Sequence, residues 1–566
     1  MSEEDGGSKR RIAVIGVSTI FLVAMVVAIA FSVNYNSDSN NDSQQNNHVV
    51  SSVKAVRTLC KPTYYQKECE KSLREEAGNT TDSRELIKIV FNITMKKIGK
   101  GQHKIDHMLG AERNPRARMA LATCKQLMNL SVGEFKRALE KMGKFDLDNL
   151  NNILTSLKVW LSGAITYQET CLDGFHNTTV QAGNRMRNLL TTTMHMSSNA
   201  LAIITALANT VSELSDVNKR QLVEDDEHVF GQDEVISSLI FDDDDDGGGV
   251  RRLLYQNPYK LKANAIVAKD GSEKFKSIDQ ALQKVPKKNK KPFVIYIREG
   301  VYNEYIEVTK TMTRVVFVGD GANKTRITGN RNFLDGLNTY KTASVGFENS
   351  AGPHKHQAVA IRVQADRSIF YRCSMDGYED TLYVHAMRQF YRDCTISGTT
   401  DFVFGDAVAV FQNCTFVVRK PLENQPLIVT AQGRKEKHQP SGIVIQGSSI
   451  VSNHRMKFDK KAYLARPLKN YSRTIFMNTY MEGFIEPDGY VPWKGPQGLS
   501  GMNTCFYAEY NNSGPGSNKS KRVKWPGIKK LNSKSASEYS PLNFFHGDDW
   551  VKITRIPYYS STLPKH

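Results

Sequence analysis

The fold is decided by residues 357–405, QAVAIRVQADRSIFYRCSMDGYEDTLYVHAMRQFYRDCTISGTTDFVFG. A short phrase recurs in this stretch and just beyond it, ending each time in a cysteine at Cys373, Cys394 and Cys414, which are 21 and 20 residues apart. Short apolar strands that repeat at this interval indicate a solenoid in which each repeat stacks on the one before. We therefore predict a parallel β-helix, because the regular repeat argues against a β-sandwich.

Polar residues keep nearly the same step as the cysteines. Gln357 is followed by Glu379 and Asp380, and then by Asp401. If each repeat is one coil, residues one period apart lie above one another, so an amide and two carboxylates converge on one face. The sequence thus predicts a chemical site on one face of the solenoid.

The N-terminal region predicts a membrane-inserted precursor. Residues 12–33 are 22 uncharged and largely apolar residues that follow Lys9-Arg10-Arg11. A run of this length can span a bilayer, and basic residues before it keep a tail (1–11) cytoplasmic. We expect a signal-anchor rather than a cleaved signal peptide, with the rest of the chain in the secretory pathway. Residues 34–50 are rich in Asn, Ser and Gln and predict a flexible stalk.

The next two segments differ sharply in composition. Residues 51–215 carry apolar residues at helical spacing and almost no proline, which predicts an all-α bundle. Residues 216–252 contain an acidic run and three glycines, followed by Arg251-Arg252-Leu253-Leu254. A flexible linker that ends in a dibasic sequence is a plausible target for a processing protease. The alternative is a linker that stays uncut.

Residues 253–566 read as short β-strands and carry the excess of basic residues behind the formal net charge of +18. A basic surface suits a polyanionic partner, whether nucleic acid, anionic lipid or acidic polysaccharide, although such a surface can also serve solubility alone.

The paired carboxylates allow metal binding, glycoside hydrolysis or ester cleavage by a carboxylate nucleophile. No zinc motif and no G-x-S-x-G elbow is present in the sequence. An amide beside two carboxylates favours an oxyanion formed at an acyl centre.

Five motifs then occur in order along the C-terminal part: GVYNE at 300–304, QAVA at 357–360, GYEDTLY at 377–383, DFVFG at 401–405 and YLARP at 463–467. Over residues 257–555 they resemble plant pectin methylesterases (pectinesterases). CKPTYYQKEC and VWLSGAITYQETCLDGF in 51–215 resemble the pectin methylesterase/invertase inhibitor family. The resemblance implies a right-handed parallel β-helix after a four-helix bundle, with no cofactor and no metal. It also implies three disulfides: Cys60–Cys69, Cys124–Cys171 and Cys394–Cys414.

The resemblance assigns catalytic roles residue by residue. Asp401 would be the nucleophile that attacks the methyl ester, and Gln357 would donate a hydrogen bond to the oxyanion. Asp380 would protonate the departing methanol and then activate water. Arg466 would pair with Asp401 and keep it ionised.

The resemblance also implies a set of substrate-binding side chains. Tyr383, Phe404 and Trp493 would stack on sugar rings, although aromatic residues are as often found in a core. Thr339 matches a substrate-contacting threonine of the family. Leu468 occupies a further substrate-binding position.

The sequence departs from the family pattern at three places. Glu379 stands where a glutamine supplies a second oxyanion donor, and Leu468 stands where a tryptophan is expected. Judged against the repeat, about half a coil is missing after Ser344. An ionised Glu379 would repel an oxyanion, so we expect activity to favour acidic pH.

The sequence therefore predicts a monomeric enzyme that demethylesterifies cell-wall pectin. Its partners would be pectin, its own inhibitor-like domain, a processing protease and the membrane at residues 12–33, with no nucleic acid. The mature domain would act in the cell wall. The alternatives are a non-catalytic pectin-binding or inhibitor-type wall protein, and a hydrolase or lyase that shortens the polysaccharide.

Overall fold

The computed structural model of the 566-residue chain describes residues 44–143, 149–175, 180–224, 263–309, 311–331, 345–453, 461–495, 498–554 and 556–563. These residues fall into two compact units, which divide between Lys219 and Arg220. The segment 12–33, the sequence at Arg251–Leu254, Thr339 and the junction after Ser344 lie outside the described residues. Within the described ranges, no helix has the length and apolar character needed to cross a bilayer.

The N-terminal unit is helical, as predicted. Its helices are α1 (Gln44–Cys60), α2 (Gln66–Glu76), α3 (Ser83–Ala111), α4 (Pro115–Gly143), α5 (Leu150–Asp173) and α6 (Val180–Glu224). The first helix thus begins inside the segment expected to be a stalk, and the last continues into the expected linker.

Two disulfides and a buried polar contact hold the helical unit together. The disulfides Cys60–Cys69 and Cys124–Cys171 are both formed, as predicted. The first joins α1 to α2 and the second joins α4 to α5. In the core, the buried amide of Gln168 on α5 donates to the hydroxyl oxygens of Ser131 and Ser197, at 3.0 and 2.8 Å. A buried amide must find such partners, so these bonds fix how three helices meet.

The C-terminal unit is built almost wholly from short strands. They are β1 (Ala265–Val267), β2 (Phe293–Ile297), β3 (Gly300–Asn303), β4 (Val315–Gly319), β5 (Thr325–Gly329), β6 (Gly346–Asn349), β7 (Ile361–Val363), β8 (Ser368–Tyr371), β9 (Ser374–Asp376), β10 (Leu382–Val384), β11 (Arg388–Arg392), β12 (Thr395–Gly398), β13 (Val403–Gly405), β14 (Val408–Gln412), β15 (Thr415–Val418), β16 (Leu427–Gln432), β17 (Gly442–Gln446), β18 (Ser449–Ser452), β19 (Ala462–Ala465), β20 (Arg473–Met477), β21 (Tyr480–Met481), β22 (Trp493–Gly495), β23 (Gly498–Ser500), β24 (Phe506–Tyr510) and β25 (Ile528–Lys530). The unit also contains the short α-helices α7 (Ile278–Leu282), α8 (Ser533–Ser537) and α9 (Pro541–Phe545).

Strand pairing shows the predicted parallel β-helix. Each central strand pairs with the third strand before it and the third after it, as β10 does with β7 and β13. The result is three long parallel sheets of five, seven and eight strands. Strands that are three apart pair in this way because each coil contributes one strand to each sheet. The repeat of about 20 residues seen in the sequence is therefore one turn of the helix.

The recurring phrase marks one corner of each coil. Arg372, Asp393 and Asn413 have φ values of 54°, 54° and 52°, which is left-handed backbone. Each turns the chain from a strand of the seven-stranded sheet into a strand of the eight-stranded sheet. Asn and Asp tolerate this conformation best among residues other than glycine. The same corner recurs in the following coils at Gly447, Asn478 and Asn511.

The cysteine that follows each corner points into the core as a free thiol. Cys373, Cys394 and Cys414 are buried and unbridged, so the predicted disulfide Cys394–Cys414 is not formed. Neighbouring strands keep these residues in register, because Thr395 pairs with Thr415 one residue later. Side chains stacked in register lie about one strand spacing apart, roughly 4.8 Å, whereas a disulfide needs a Cβ–Cβ distance of about 3.8 Å.

The interior is filled by like residues stacked from coil to coil. The rings of Phe370, Tyr391 and Phe411 lie nearly parallel, with centroid separations of 4.8 and 4.4 Å. Such offset stacks add about 0.5–1.5 kcal/mol per pair beyond the burial of apolar area. This rigid column fixes the coils on which the polar residues of the outer face are carried.

Candidate active site

Asp380 and Asp401 occupy the same position on consecutive coils. Asp380 precedes β10 and Asp401 precedes β13, and the in-register pairing of Leu382 with Val403 aligns them. The backbone N–H of Asp380 donates to the carbonyl of Thr400 at 3.0 Å, which holds the two corners together. Both aspartates have left-handed backbone, with φ values of 63° and 50°. The shared backbone conformation and the strand register place the two aspartates at equivalent positions on consecutive coils.

Arg466 holds the carboxylate of Asp401 from the end of β19. Its Nε lies 2.8 Å from Oδ1 and its Nη2 lies 2.5 Å from Oδ2 of Asp401. The guanidinium also lies over the ring of Trp493, with its Cζ 4.4 Å from the ring centroid. A two-point contact of this kind fixes the orientation of a carboxylate as well as its charge.

The two aspartates differ in their charged neighbours. Burial raises the pKa of Asp401, and the Arg466 guanidinium opposes that rise. Burial also raises the pKa of Asp380 well above its ordinary value, and the carboxylates of Asp401 and Glu379 raise it further. Arg466 pairs with Asp401, whereas no ion pair to Asp380 is found among the described residues, so the surroundings favour the proton on Asp380 and the negative charge on Asp401. The environments thus favour an acid at position 380 and a nucleophile at position 401.

The side-chain amide of Gln357 is hydrogen-bonded to Glu379. Its Nε2 donates to Oε1 of Glu379 at 2.6 Å. The other oxygen of Glu379 accepts a hydrogen bond from Nε2 of Gln425 at 3.1 Å. Burial raises the pKa of Glu379, and the carboxylate of Asp401 raises it further. One N–H of the expected oxyanion donor is therefore engaged by the residue that departs from the family pattern.

Two predicted aromatic residues form a platform beside the carboxylates. The rings of Tyr383 and Phe404 stack with centroids 4.3 Å apart and an angle of 11° between their planes. Both side chains are partly exposed, although their neighbours along the strands are buried. Arg362 lies on the other side of Tyr383, with its guanidinium carbon 5.2 Å from the ring centroid. Flat, partly exposed rings of this kind suit contact with the face of a sugar.

Leu468 borders the same outer face. A Cβ added to Gly433 would lie 3.4 Å from Cδ2 of Leu468. Gly433 itself donates its N–H to the carbonyl of Gly405 at 2.8 Å. Gly405 is the residue after Phe404, so Leu468 lies next to the end of the aromatic strand β13.

The structure therefore brings together most of the predicted site residues. Thr339 lies outside the described residues, and Trp493 contacts Arg466 rather than the aromatic platform. Sequence reasoning missed Gln425 and Arg362. Arg362 carried a signal, because it is one period from Tyr383 on the paired strand β7. Gln425 carried none, because it reaches Glu379 from a loop 46 residues away. The described residues contain no cluster of three or more His, Cys, Asp or Glu that could hold a metal ion.

Comparison with known proteins identifies the class to which this fold and site belong. The pectinesterase family matches residues 264–548, and the plant invertase/pectin methylesterase inhibitor family matches residues 54–203. The chain belongs to the pectinesterase family, with an inhibitor-family domain before the β-helix.

Relatives in the family share both parts of the chain. The sequence is 44% identical to Arabidopsis thaliana pectinesterase/pectinesterase inhibitor 28, over 98% of this chain and 75% of that protein. It is also 44% identical to Arabidopsis thaliana pectinesterase/pectinesterase inhibitor 21, over 99% of this chain and 84% of that protein. The solved structure of a pectin methylesterase from carrot is 40% identical and matches with a TM-score of 0.50, covering 53% of this chain and 98% of that one.

Proposed function

We propose that the β-helix unit hydrolyses the methyl esters of galacturonate residues in cell-wall pectin, releasing methanol and leaving pectate. The observation that carries this proposal is the pair of aligned aspartates, of which Asp401 is held by Arg466 and Asp380 is not. One ionised carboxylate and one carboxylic acid on the same face supply a nucleophile and a proton donor. Family membership and the likeness to the carrot enzyme support the same reaction.

The geometry supports a two-step mechanism. A carboxylate oxygen of Asp401 attacks the ester carbonyl and forms a tetrahedral oxyanion. The oxyanion collapses, the C–O bond to the methoxy group breaks, and the proton of Asp380 leaves with methanol. Asp380 then removes a proton from water, which attacks the acyl–Asp401 anhydride. The C–O bond to Asp401 then breaks, which frees the Asp401 carboxylate and galacturonic acid, whose proton passes to the solvent, and Asp380 is left protonated as at the start.

Gln357 and Glu379 set the conditions for the first step. While Glu379 is ionised, it accepts the amide hydrogen of Gln357 and places a negative charge beside the oxyanion. When Glu379 is protonated, its O–H group can donate a hydrogen bond to the oxyanion, and its negative charge is gone. Its environment favours protonation, since burial and Asp401 raise its pKa. The enzyme therefore works best under acidic conditions.

The remaining parts of the chain define a precursor. The helical unit acts as a four-helix inhibitor-like domain, supported by its inhibitor-family match and its two disulfides. Residues 12–33 hold the precursor in the membrane, and a protease cuts the linker at Arg251-Arg252. The mature, monomeric enzyme, a right-handed β-helix, then acts in the cell wall, where its basic surface suits the anionic product.

The decisive test is methanol release from highly methylated pectin across pH, by the purified protein before and after cleavage of the linker. Asp401→Asn should abolish the release. The matched control is Asp393→Asn, which changes an aspartate in the same left-handed conformation at a corner without catalytic groups. A fall in polymer length without methanol would instead show a chain-cleaving hydrolase or lyase.

The alternative function is that of a non-catalytic pectin-binding protein. The observation that bears on it is the bond from Gln357, the expected oxyanion donor, to Glu379. Pectin binding without methanol release at any pH, by the wild-type protein and by Glu379→Gln alike, would establish that alternative.

A further inference from the structure

The loop between β15 and β16 reaches across the solenoid to the catalytic coil. Gln425 in this loop directs its Nε2 to Oε2 of Glu379 at 3.1 Å, although 46 residues separate them. The side-chain oxygen Oε1 of Gln425 accepts a hydrogen bond from the backbone N–H of Leu422 at 3.4 Å. That bond orients the amide, so the NH₂ group and not the carbonyl faces Glu379.

A second residue of the loop grips the segment just before Glu379. Arg419 donates from Nη1 to the carbonyl of Gly377 at 2.9 Å and from Nη2 to the hydroxyl of Tyr378 at 3.0 Å. Its guanidinium also lies over the Tyr378 ring, 4.0 Å from the centroid. The loop therefore contacts three consecutive residues, 377–379, and its approach to Glu379 is not a chance contact of one flexible side chain.

Both oxygens of Glu379 are occupied, one by Gln357 and the other by Gln425. Two amide donors stabilise the ionised form of a carboxyl group relative to the protonated form. The other charged groups that act on Glu379 are Asp401, His356 and Arg466, together with the adjacent Asp380. The carboxylates disfavour ionisation of Glu379, whereas Gln425, His356 and Arg466 favour it.

We propose that Gln425 is a positioning residue that holds Glu379 as a hydrogen-bond acceptor and thereby keeps one N–H of the Gln357 amide directed at Glu379 instead of at the substrate. This inference deepens the proposed function and rests on it. Gln425 does not touch the ester in this role. It acts through Glu379, and it restrains the oxyanion donor rather than serving as one.

The expected effect is a shift of the pH profile. Gln425→Leu removes one donor, so protonated Glu379 persists to higher pH. The alkaline limb of kcat should move up by about 0.5–1 pH unit, which corresponds to an increase of about 3- to 10-fold on that limb. KM for a short methylated oligogalacturonide should change little, because the substrate contacts remain. Gln425→Met, of similar size and also without a donor, should behave in the same way and guards against a folding defect in the leucine variant.

Two controls separate this role from a general loosening of the loop. In a Glu379→Gln background, Gln425→Leu should leave the alkaline limb where it is, because residue 379 no longer titrates. Arg419→Met, which weakens the same loop elsewhere, should lower the melting temperature without moving the limb. A limb that moves equally in both backgrounds would overturn the proposal.

A measurement without substrate distinguishes failure of this inference from failure of the proposed function. The melting temperature of full-length Gln425→Leu is compared with that of wild type from about pH 4 to pH 8. The loss should be larger at high pH, where Glu379 is ionised and needs its donor. A loss that is independent of pH would refute the role of Gln425, even if the wild-type protein proves to release no methanol.

Discussion

The amide of Gln357 donates to the carboxylate of Glu379 at 2.6 Å, across two neighbouring coils of the β-helix. This contact joins the residue expected to stabilise the oxyanion to the residue that departs most from the family pattern. Glu379 lies beside Asp380 and Asp401, so the protonation state of Glu379 affects the chemistry directly. The balance between these groups is the basis of the first prediction.

Glu379→Gln should raise kcat at neutral pH by about 10²-fold, because it removes a charge and restores a donor near the oxyanion. The gain should shrink toward acidic pH, where wild-type Glu379 is protonated. Methanol release between about pH 4 and pH 8 measures it. Activity no higher than wild type throughout this range would contradict the assignment.

The same substitution should affect stability in a pH-dependent way. Because the folded protein raises the pKa of Glu379, the stability linked to its protonation is full at low pH and is lost as pH rises through the folded pKa. Glu379→Gln should therefore melt higher than wild type near neutral pH, with a smaller difference in acid. Thermal unfolding across pH tests this expectation.

Arg466→Met should weaken both activity and stability. The guanidinium opposes the rise in the pKa of Asp401 that burial causes, so its loss moves the acidic limb of the rate profile to higher pH. Removing one partner of a buried ion pair typically costs about 3–5 kcal/mol. Rate profiles and urea unfolding measure the two effects. Arg466→Lys is the control, because it keeps the charge and loses the two-point contact. An unchanged acidic limb in Arg466→Met would contradict this account of Asp401.

Leu468→Trp should strengthen substrate binding. Leu468 lies beside Gly433 and so near the end of the aromatic strand, where an added ring could contact a sugar. An aromatic contact of about 1 kcal/mol corresponds to a KM about fivefold lower. Kinetics on oligogalacturonides test this, with Leu468→Met as the size-matched control. A lower kcat with no change in KM would show that residue 468 does not contact the sugar.

Gly405→Ala should destabilise the catalytic unit by about 2 kcal/mol or more. Gly405 has a φ of +124°, and an added Cβ would lie 2.9 Å from Cδ2 of Tyr383 and closer still to the carbonyl of Val384. Gly433→Ala is the matched control, since the nearest contact there is an ordinary 3.4 Å. Urea unfolding should separate the two variants. Equal free energies of unfolding for the two variants would show that strand β13 shifts to make room for the added methyl group at residue 405.

The repeat made the solenoid predictable. In-register stacking turns a constant step along the chain into a constant position in space, so Asp380 and Asp401 could be placed together from their spacing. The disulfide expected between Cys394 and Cys414 failed for the same reason, because register stacks their side chains side by side instead of aiming one at the other. The resemblance, and not the spacing, supplied Arg466, which comes from two coils further on.

The sequence by itself determined the class of the two units, the period of the coils and the carboxylates of the outer face. These follow from local patterns, in which strand, corner and polar residue recur within about 20 residues. Only the tertiary structure decided that Glu379 holds the amide of Gln357 and that Gln425 holds Glu379. Those hydrogen bonds depend on where a loop from another coil places one side chain, and no periodicity records that placement.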